Sequence, residues 1–444
     1  MKKTLHVISL GCPKNRVDSE AMIGQLGAEG YRLTADPLRA DVVVVNTCGF
    51  LQASVDEARS EISALALLKQ RREFRLVVAG CLVQRMGEEL RREFPAIDAQ
   101  VGVHSCDRLL DAIGKGGAFI KRRPANYGGD YYGRRALTTG PGWAYLRIAD
   151  GCDNRCGYCL IPSIRGRFRS RPLGELVAEA RSLAARGVRE LDLIAQDTTG
   201  YGVDRGGKRL LPRLLRALGE ICGIEWIRVL YTHPAHFDDR IIAALAGLPK
   251  VVKYLDVPLQ HVSDRILKAQ RRGIDSAGTR ALIAKLRDRI PGVRLRTTFI
   301  TGLPGETDRE FSELLEFVRE ARFEKLGAFA FSSEPGTRAA RMKGQVPAAV
   351  ARERMGELMR LQRGISAAVG RGRIGSSCRV LIDATISADV PRRPGYRFTG
   401  RSGAEAPEVD GAVFIRSKRR LIAGDFVQVR VDCSWEYDVG GTAV

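Results

Sequence analysis

Three cysteines that lie close together in the chain have the spacing best suited to chemistry. Cys152, Cys156 and Cys159 form a Cys-x3-Cys-x2-Cys pattern within the stretch Ala149–Arg171. A structural zinc site needs four ligands, and no fourth Cys or His follows at the usual distance. Three thiolates can instead bind three irons of a cubane cluster and leave the fourth iron open. The spacing favours such a cluster, with a zinc site or a redox pair of Cys156 and Cys159 as the alternative.

An open iron can bind the amino and carboxylate groups of S-adenosylmethionine and deliver the electron that cleaves it to an adenosyl radical. The loop resembles the signature of the radical S-adenosylmethionine superfamily, in which an aromatic residue precedes the third cysteine. Tyr158 has that position. The resemblance implies a 4Fe-4S cluster and S-adenosylmethionine as cofactors, and we expect Tyr158 to lie near them.

Three further cysteines recur at regular intervals in the first hundred residues. Cys12, Cys48 and Cys81 each follow a predicted strand, and the strands are Leu5–Leu10, Asp41–Asn46 and Arg75–Ala79. Ligands of parallel sheets gather beyond the carboxyl ends of the strands, so we expect these thiols to converge. The pattern predicts a second three-thiolate cluster site. The alternative is that they are small buried residues, which are common near strand ends.

The elements around these cysteines alternate between strand and helix from residue 4 to 115. This pattern predicts an N-terminal, doubly wound parallel α/β domain. Ser54 and Glu57 form a capping-box pattern at the start of one helix. The remaining predicted elements are the helices Ser19–Glu29, Ser54–Arg72 and Gln84–Glu93 and a strand near Ala99–Val103. A Gly-, Arg- and Tyr-rich linker is predicted at 116–137.

The central region, 138–370, alternates six predicted strands with helices and predicts a partial (βα)6 barrel. The strands are Trp143–Ala149, Arg189–Ala195, Glu225–Tyr231, Val252–Val257, Val293–Ile300 and Lys325–Phe331. Thr307 and Glu310 form a second capping-box pattern, and a helix is expected from Pro347 to about Gly370. Short alternating strands within 371–440 predict a small antiparallel β-barrel, and these strands are Cys378–Ala384, Tyr396–Arg401, Ala412–Ile415 and Asp425–Trp435.

Polar residues concentrate at the carboxyl ends of the central strands. Gln196, Thr301, Gly302 and Glu306 are candidate contacts for the cofactor, because the last three lie in a Gly-rich turn that lets backbone amides approach a ligand. Ordinary turn chemistry explains the same residues equally well. The spacing of His233, His236 and His261 matches no metal-ligand pattern, so we interpret them as hydrogen-bonded loop histidines.

The composition indicates which partner and which cellular compartment suit the protein. The 444 residues include 72 Lys plus Arg against 51 Asp plus Glu, a net charge of +21, which suits RNA or a ribonucleoprotein, although a generally basic proteome gives the same balance. Ten cysteines without an export signal indicate a reducing compartment, hence the cytoplasm. No apolar run approaches the ~20 residues of a membrane span.

The order of these three regions resembles the methylthiotransferase family of radical S-adenosylmethionine enzymes, over nearly the whole chain. The resemblance implies that Cys152, Cys156 and Cys159 bind the radical-generating 4Fe-4S cluster and that Cys12, Cys48 and Cys81 bind an auxiliary one. It also implies that 371–440 is a TRAM domain, and that the electron donor is a flavodoxin or ferredoxin type of protein.

Three stretches are similar to the branch of this family that modifies a ribosomal protein: Ser9–Asn15, Ala195–Thr198 and Ala406–Gly411. That branch implies methylthiolation of the β-carbon of an aspartate in small-subunit ribosomal protein S-twelve. The alternative is the branch that acts on tRNA adenosine, as N6-isopentenyladenosine. In either case the expected partner is a ribosomal protein, the small ribosomal subunit or RNA. No membrane partner is expected.

A charge argument favours the ribosomal-protein branch. Residues 371–444 contain 12 Lys plus Arg and 9 Asp plus Glu, so only +3 of the net charge lies there, and Glu408 and Asp410 flank the proposed contact loop. Carboxylates repel phosphates and attract basic peptides. We therefore expect this loop to contact a basic segment of protein.

Overall fold

The computed structural model describes residues 3–121, 132, 134–386 and 395–444. Residues 122–131 and 133, which make up much of the predicted linker, lie outside the described residues. The chain divides into two compact units, one comprising Met1–Thr138, Ala149–Arg171 and Glu334–Thr337 and the other comprising Thr139–Ile148, Pro172–Ser333 and Arg338–Val444. The Cys-x3-Cys-x2-Cys loop therefore belongs to the same unit as the N-terminal sheet. The predicted domain boundaries stay predictions.

The first unit is built on a six-stranded parallel sheet. In spatial order its strands are Arg32–Leu33, Thr4–Ser9, Val42–Thr47, Arg75–Gly80, Ala99–Gly102 and Gly117–Phe119. The chain order reverses beside Thr4–Ser9, and the crevice at such a reversal is where open α/β sheets bind ligands. The predicted strands are confirmed to within about two residues, and the short first and last strands are additional.

Both faces of this sheet are covered, as the doubly wound prediction requires. Successive side chains of a strand point to opposite faces, so Val43 and Val45 pack with the helix Gln52–Lys69, whereas Val42 and Val44 pack with Met22. The helices of this unit are Pro13–Ala28, Gln52–Lys69, Cys81–Met86, Glu88–Glu93, Leu109–Lys115 and Ile161–Arg165.

All three predicted helix starts in this unit are wrong, and the predicted helix Gln84–Glu93 is two helices, Cys81–Met86 and Glu88–Glu93. The first helix begins at Pro13, not Ser19, with Cys12 at the N-cap position. The second begins at Gln52, and Ser54 is not its cap: the backbone N–H of Gln52 donates to the Glu334 carboxylate at 2.7 Å. A carboxylate from a distant part of the chain supplies the cap that the local sequence assigned to Ser54.

The second unit contains a parallel sheet of six strands in sequential order. They are Trp143–Arg147, Glu190–Ile194, Trp226–Val229, Val251–Asp256, Arg294–Thr301 and Lys325–Ala330. Its helices are Leu173–Ala185, Leu211–Gly219, Asp239–Gly247, Asp264–Ala269, Ser276–Arg289, Asp308–Ala321 and Ala348–Arg371. The capping box of Thr307 and Glu310 is confirmed. All six predicted strands are present in the order that a partial (βα)6 barrel requires.

A closed five-stranded barrel ends the chain. In spatial order its strands are Ser377–Thr385, Phe398–Ser402, Val413–Arg416, Val439–Ala443 and Phe426–Ser434. The predicted antiparallel arrangement holds except for one pair, because Val413–Arg416 runs parallel to the last strand, Val439–Ala443. Among the residues that the structure describes, no helix has the length and apolar character that crossing a membrane requires.

Candidate active site

The three N-terminal cysteines follow three neighbouring strands of the first sheet. Cys12 is at the N-cap position of the helix Pro13–Ala28, Cys48 comes directly after the strand Val42–Thr47, and Cys81 begins the helix that follows Arg75–Gly80. Cys12 and Cys48 thus flank the point where the strand order reverses. The sheet brings all three to one edge, as the sequence predicted.

Two glycines show how tightly these strand-end loops pack. Gly11 has a φ of +92°, and a Cβ added to it would lie 2.6 Å from Cys48 Cβ. A Cβ on Gly49 would lie 2.8 Å from the backbone nitrogen of Leu82, the residue after Cys81. No side chain fits at either position, so glycine allows the three cysteine loops to touch.

The thiols are also close enough to affect each other's ionisation. Burial raises the pKa of Cys48, and the nearby Cys12 raises it further. Burial raises the pKa of Cys81 to about 12, opposed by the charge of Arg165, while Cys12 and Cys48 add to the increase. Three thiolates crowded in a buried place need cations to neutralise them, and iron ions supply that charge. This donor set fits an iron–sulfur cluster.

The second cysteine set lies on one compact loop. The Cys152 N–H donates to Gly166 O at 3.1 Å and closes the loop, and the Cys159 N–H donates to Cys156 O at 3.1 Å. The Ile161 N–H points to Cys159 Sγ at 3.4 Å. An N–H directed at sulfur stabilises a thiolate, so this set also fits a cluster. Tyr158 is half-buried on the turn between Cys156 and Cys159.

The two cysteine sets are neighbours within the first unit. Leu160 and Ile164, which follow Cys159, pack in one apolar cluster with Cys81 and Val103. Arg165, from the same short helix, donates to Asn15 Oδ1 at 2.8 Å, and Asn15 Oδ1 also accepts from Cys81 Sγ at 3.6 Å. The structure therefore joins the two motifs by both apolar packing and hydrogen bonds.

Within residues 3–121, 132, 134–386 and 395–444, no group of three or more His, Cys, Asp or Glu side chains is arranged to hold a single metal ion. A cluster has a different requirement. Each cysteine of a cubane cluster binds its own iron, whereas a zinc site brings every ligand within bonding distance of one ion.

The predicted cofactor contacts of the second unit have partners inside the protein. Thr301 Oγ1 donates to Ala351 O at 2.8 Å, and the Gly302 N–H donates to Glu306 Oε1 at 2.9 Å. Glu306 also accepts from Arg354 at 2.7 Å. Gln196 follows the strand Glu190–Ile194 and is half-buried. A cofactor contact by these four residues stays a prediction.

Each of the three histidines makes a hydrogen bond in its loop, but the buried Nε2 atoms of His233 and His261 have no hydrogen-bond partner among the described residues, so the interpretation from their spacing is confirmed only in part. His236 Nδ1 lies 2.6 Å from Asp197 Oδ2. His233 Nδ1 accepts from the Ala235 N–H at 3.3 Å, and His261 Nδ1 accepts from the Ser263 N–H at 3.1 Å.

The charge argument for the C-terminal loop needs a correction. The Asp410 side chain is only 3% exposed and accepts from the Tyr254 hydroxyl at 2.7 Å and from the Ala406 N–H at 2.9 Å. Glu408 is exposed, but its carboxylate accepts from the Tyr145 hydroxyl at 3.1 Å. The two carboxylates fasten this loop to strands of the same unit, and the buried Asp410 does not face a basic peptide.

Sequence reasoning missed several polar residues around the cysteines. Asn15, Asp18 and Arg165 are all nearly inaccessible to solvent, and His104 is buried two residues after the strand Ala99–Gly102. Burial lowers the pKa of His104 to about 4, although Asp150 opposes this effect. Position after a strand end could have identified His104, whereas the role of Arg165 depends on contacts between distant segments.

Comparison with known families covers all three regions of the chain. Residues 4–102 match the uncharacterized protein family UPF0004, residues 146–318 match the radical SAM superfamily, and residues 374–444 match the TRAM domain. A Desulforamulus reducens protein described as ribosomal protein uS12 methylthiotransferase RimO is 43% identical over 444 residues, 99% of this chain and 99% of its own length. The chain belongs to the RimO methylthiotransferase family.

Another RimO, from Anaeromyxobacter sp. (strain K), is 46% identical over 448 residues, covering 100% of this chain and 94% of that protein. The chain is thus a radical S-adenosylmethionine methylthiotransferase, and its family membership supports an iron–sulfur cluster and S-adenosylmethionine as cofactors. The ligand residues and the number of clusters stay predictions.

Solved structures show the same fold. The radical S-adenosylmethionine methyltransferase TsrM from Kitasatospora setae, with cobalamin and a 4Fe-4S cluster bound, aligns with a TM-score of 0.56 at 16% identity, covering 89% of this chain and 77% of that chain. At this identity the likeness concerns the fold alone.

Proposed function

We propose that this RimO-family enzyme attaches a methylthio group to the β-carbon of an aspartate in small-subunit ribosomal protein S-twelve, using two 4Fe-4S clusters. The substrate is supported by the names of relatives that match nearly the full chain. The motif stretches Ser9–Asn15 and Ala195–Thr198 favour the same branch.

The observation that carries the two-cluster proposal is the convergence of Cys12, Cys48 and Cys81 beside the Cys-x3-Cys-x2-Cys loop. Attack on an unactivated C–H bond is beyond polar side-chain chemistry, and bound clusters with S-adenosylmethionine supply the radical chemistry for it. The residues of the chain bind and orient these groups. They also exclude water, since Cys48, Cys81 and Cys152 are buried.

The other parts of the proposal follow from the same assignment. The enzyme takes its electrons from a flavodoxin or ferredoxin type of donor and acts in the cytoplasm, where thiols stay reduced. Its net charge of +21 supports contact with the RNA that surrounds a ribosomal protein.

The experiment that tests the substrate is an intact-mass comparison of ribosomal protein S-twelve. Small subunits from cells that lack the enzyme are incubated with reconstituted protein, S-adenosylmethionine and a reductant. We expect the mass of one added methylthio group on the aspartate, and no change with Cys156→Ala enzyme. Formation of thiomethyl adenosine in tRNA while the ribosomal protein stays unmodified would reject this substrate.

The number of clusters has its own test. Anaerobic reconstitution of the full chain is expected to give about eight irons per chain. A chain that binds only about four irons, or binds zinc in their place, contradicts the two-cluster proposal but leaves the family assignment intact.

A further inference from the structure

Arg165 is a fully buried arginine that the cluster assignment does not use. Its side chain is only 2% exposed, and its guanidinium lies 3.1 Å from Asp18 Oδ2 and 3.2 Å from Asp150 Oδ1. Its Nη2 also donates to Asn15 Oδ1 at 2.8 Å. Asp18 and Asn15 belong to the helix after Cys12, whereas Asp150 lies two residues before Cys152. One side chain therefore connects the segments that carry both cysteine sets.

Asn15 extends this connection to the other two strand-end loops. Its Nδ2 donates to Leu10 O at 3.1 Å and to Thr47 O at 2.9 Å, just before Cys12 and Cys48 respectively. Its Oδ1 accepts from Cys81 Sγ at 3.6 Å as well as from Arg165. The three cysteine loops and the Arg165 helix thus share one buried amide.

The geometry places Arg165 beside one of the proposed sulfur ligands. Its guanidinium is hydrogen-bonded to the Cys81 side chain, and both groups donate to Asn15 Oδ1. A permanently charged donor beside a cysteine sulfur stabilises the anionic form of that ligand.

We propose that Arg165 is a positioning residue that couples the two cluster sites. It holds the Cys-x3-Cys-x2-Cys loop against the strand-end cysteines, and its charge next to Cys81 stabilises the reduced auxiliary cluster. This inference rests on the proposed assignment of Cys12, Cys48 and Cys81 to that cluster. The reduction potential of an iron–sulfur cluster depends on its net charge and on hydrogen bonds to its sulfurs. Removal of a buried positive charge must therefore make reduction harder.

The test compares Arg165→Gln and Arg165→Lys with the parent in the reconstituted full-length enzyme. Electron paramagnetic resonance, followed during redox titration, gives the midpoint potential of each cluster. A Cys152→Ala, Cys156→Ala, Cys159→Ala triple variant assigns the auxiliary signal. The matched control is Arg167→Gln, since Arg167 lies two residues away with a side chain 89% exposed, paired with Asp153.

We expect Arg165→Gln to shift the auxiliary potential to a more negative value, Arg165→Lys to shift it less because the charge is kept, and Arg167→Gln to leave it unchanged. If Arg165→Gln binds no iron at the strand-end cysteines while Arg165→Lys does, the coupling is also supported. The proposal is overturned if Arg165→Gln keeps both clusters at the parent potentials, or if Arg165→Lys fails to bind the auxiliary cluster despite an unchanged circular dichroism spectrum.

Failure of the inference differs from failure of the proposed function. A parent enzyme with about four irons and no auxiliary signal removes the two-cluster function, and the inference with it. A parent with about eight irons and insensitive Arg165 variants leaves the function standing and removes only the role of Arg165.

Discussion

The two cysteine sets make comparable sites in different ways. Cys152, Cys156 and Cys159 lie within eight residues on a loop closed by its own backbone hydrogen bonds. Cys12, Cys48 and Cys81 come from three separate strands, and only the parallel sheet brings them together. The first set is a local feature of the chain, whereas the second exists only when about eighty residues fold.

The difference has a physical consequence for the assembled site. Its geometry depends on glycines that let loops touch and on buried polar groups such as Asn15, which has contacts to all three loops. The loop site depends mainly on its own backbone. Substitutions that disturb the sheet edge should therefore disrupt the strand-end site and leave the loop site intact.

The largest expected effect comes from the cysteines themselves. Cys156→Ala should lower the iron content by about four per chain and abolish cleavage of S-adenosylmethionine to 5′-deoxyadenosine. Cys48→Ala should lower the iron content by a similar amount and abolish methylthio transfer, yet leave that cleavage in place. Iron analysis and chromatography of 5′-deoxyadenosine measure both quantities.

Cys222→Ala is the matched control for these variants, because Cys222 is an exposed free cysteine. It should leave iron content and both reactions unchanged. If Cys48→Ala lost as much 5′-deoxyadenosine formation as Cys156→Ala, this result would contradict the predicted division of roles between the two cysteine sets.

A smaller effect should come from the glycines that each site requires. Gly11→Ala places a Cβ 2.6 Å from Cys48 Cβ, and Gly151→Ala places one 2.2 Å from Arg167 O, both at positive φ. Each should lower the free energy of unfolding by about 1–3 kcal/mol. Iron loss should be confined to the strand-end site in Gly11→Ala and to the loop site in Gly151→Ala. Equal loss at both sites in Gly11→Ala would show that the sites do not form separately.

The next effect concerns pH and the buried His104 of the first unit. Burial lowers its pKa from 6.5 to about 4, so the folded state disfavours the protonated ring. The contribution of neutral His104 to the free energy of unfolding is fully present above pH ~6.5 and declines as the pH falls towards 4. Between pH 7.5 and 5, the free energy of unfolding of the iron-free chain, measured with denaturant, should fall by about 1–2 kcal/mol more than that of the iron-free His104→Gln variant. Parallel pH profiles for the two proteins would contradict this origin of the acid sensitivity.

The smallest effect should come from a glycine that neither site needs. Gly27 lies near the end of the helix Pro13–Ala28, and a Cβ there meets no atom within 4 Å. Gly27→Ala should raise the free energy of unfolding by about 0.5–1 kcal/mol, because alanine loses less backbone entropy on folding. Iron content should not change, in contrast to Gly11→Ala.

Much of the fold was predictable because its strands are strongly patterned. The run Val42–Val45 and the six central strands appear where the sequence places them. The last strand, Val439–Ala443, was missed, since Gly440 and Gly441 have low strand propensity. Tertiary packing explains why glycine occurs in this strand, because a Cβ on Gly440 would lie 2.4 Å from the Tyr396 hydroxyl.

The sequence alone predicted a cluster-binding role for the Cys-x3-Cys-x2-Cys loop, because three thiols on one short loop need little help from the rest of the chain. It also indicated the strand-end cysteines, since parallel strands share one edge for their carboxyl ends. Only the tertiary structure decided that Arg165 and Asn15 join the two sets and that Asp410 is buried against Tyr254. Such contacts link segments more than a hundred residues apart, and no local pattern specifies which buried charges will meet.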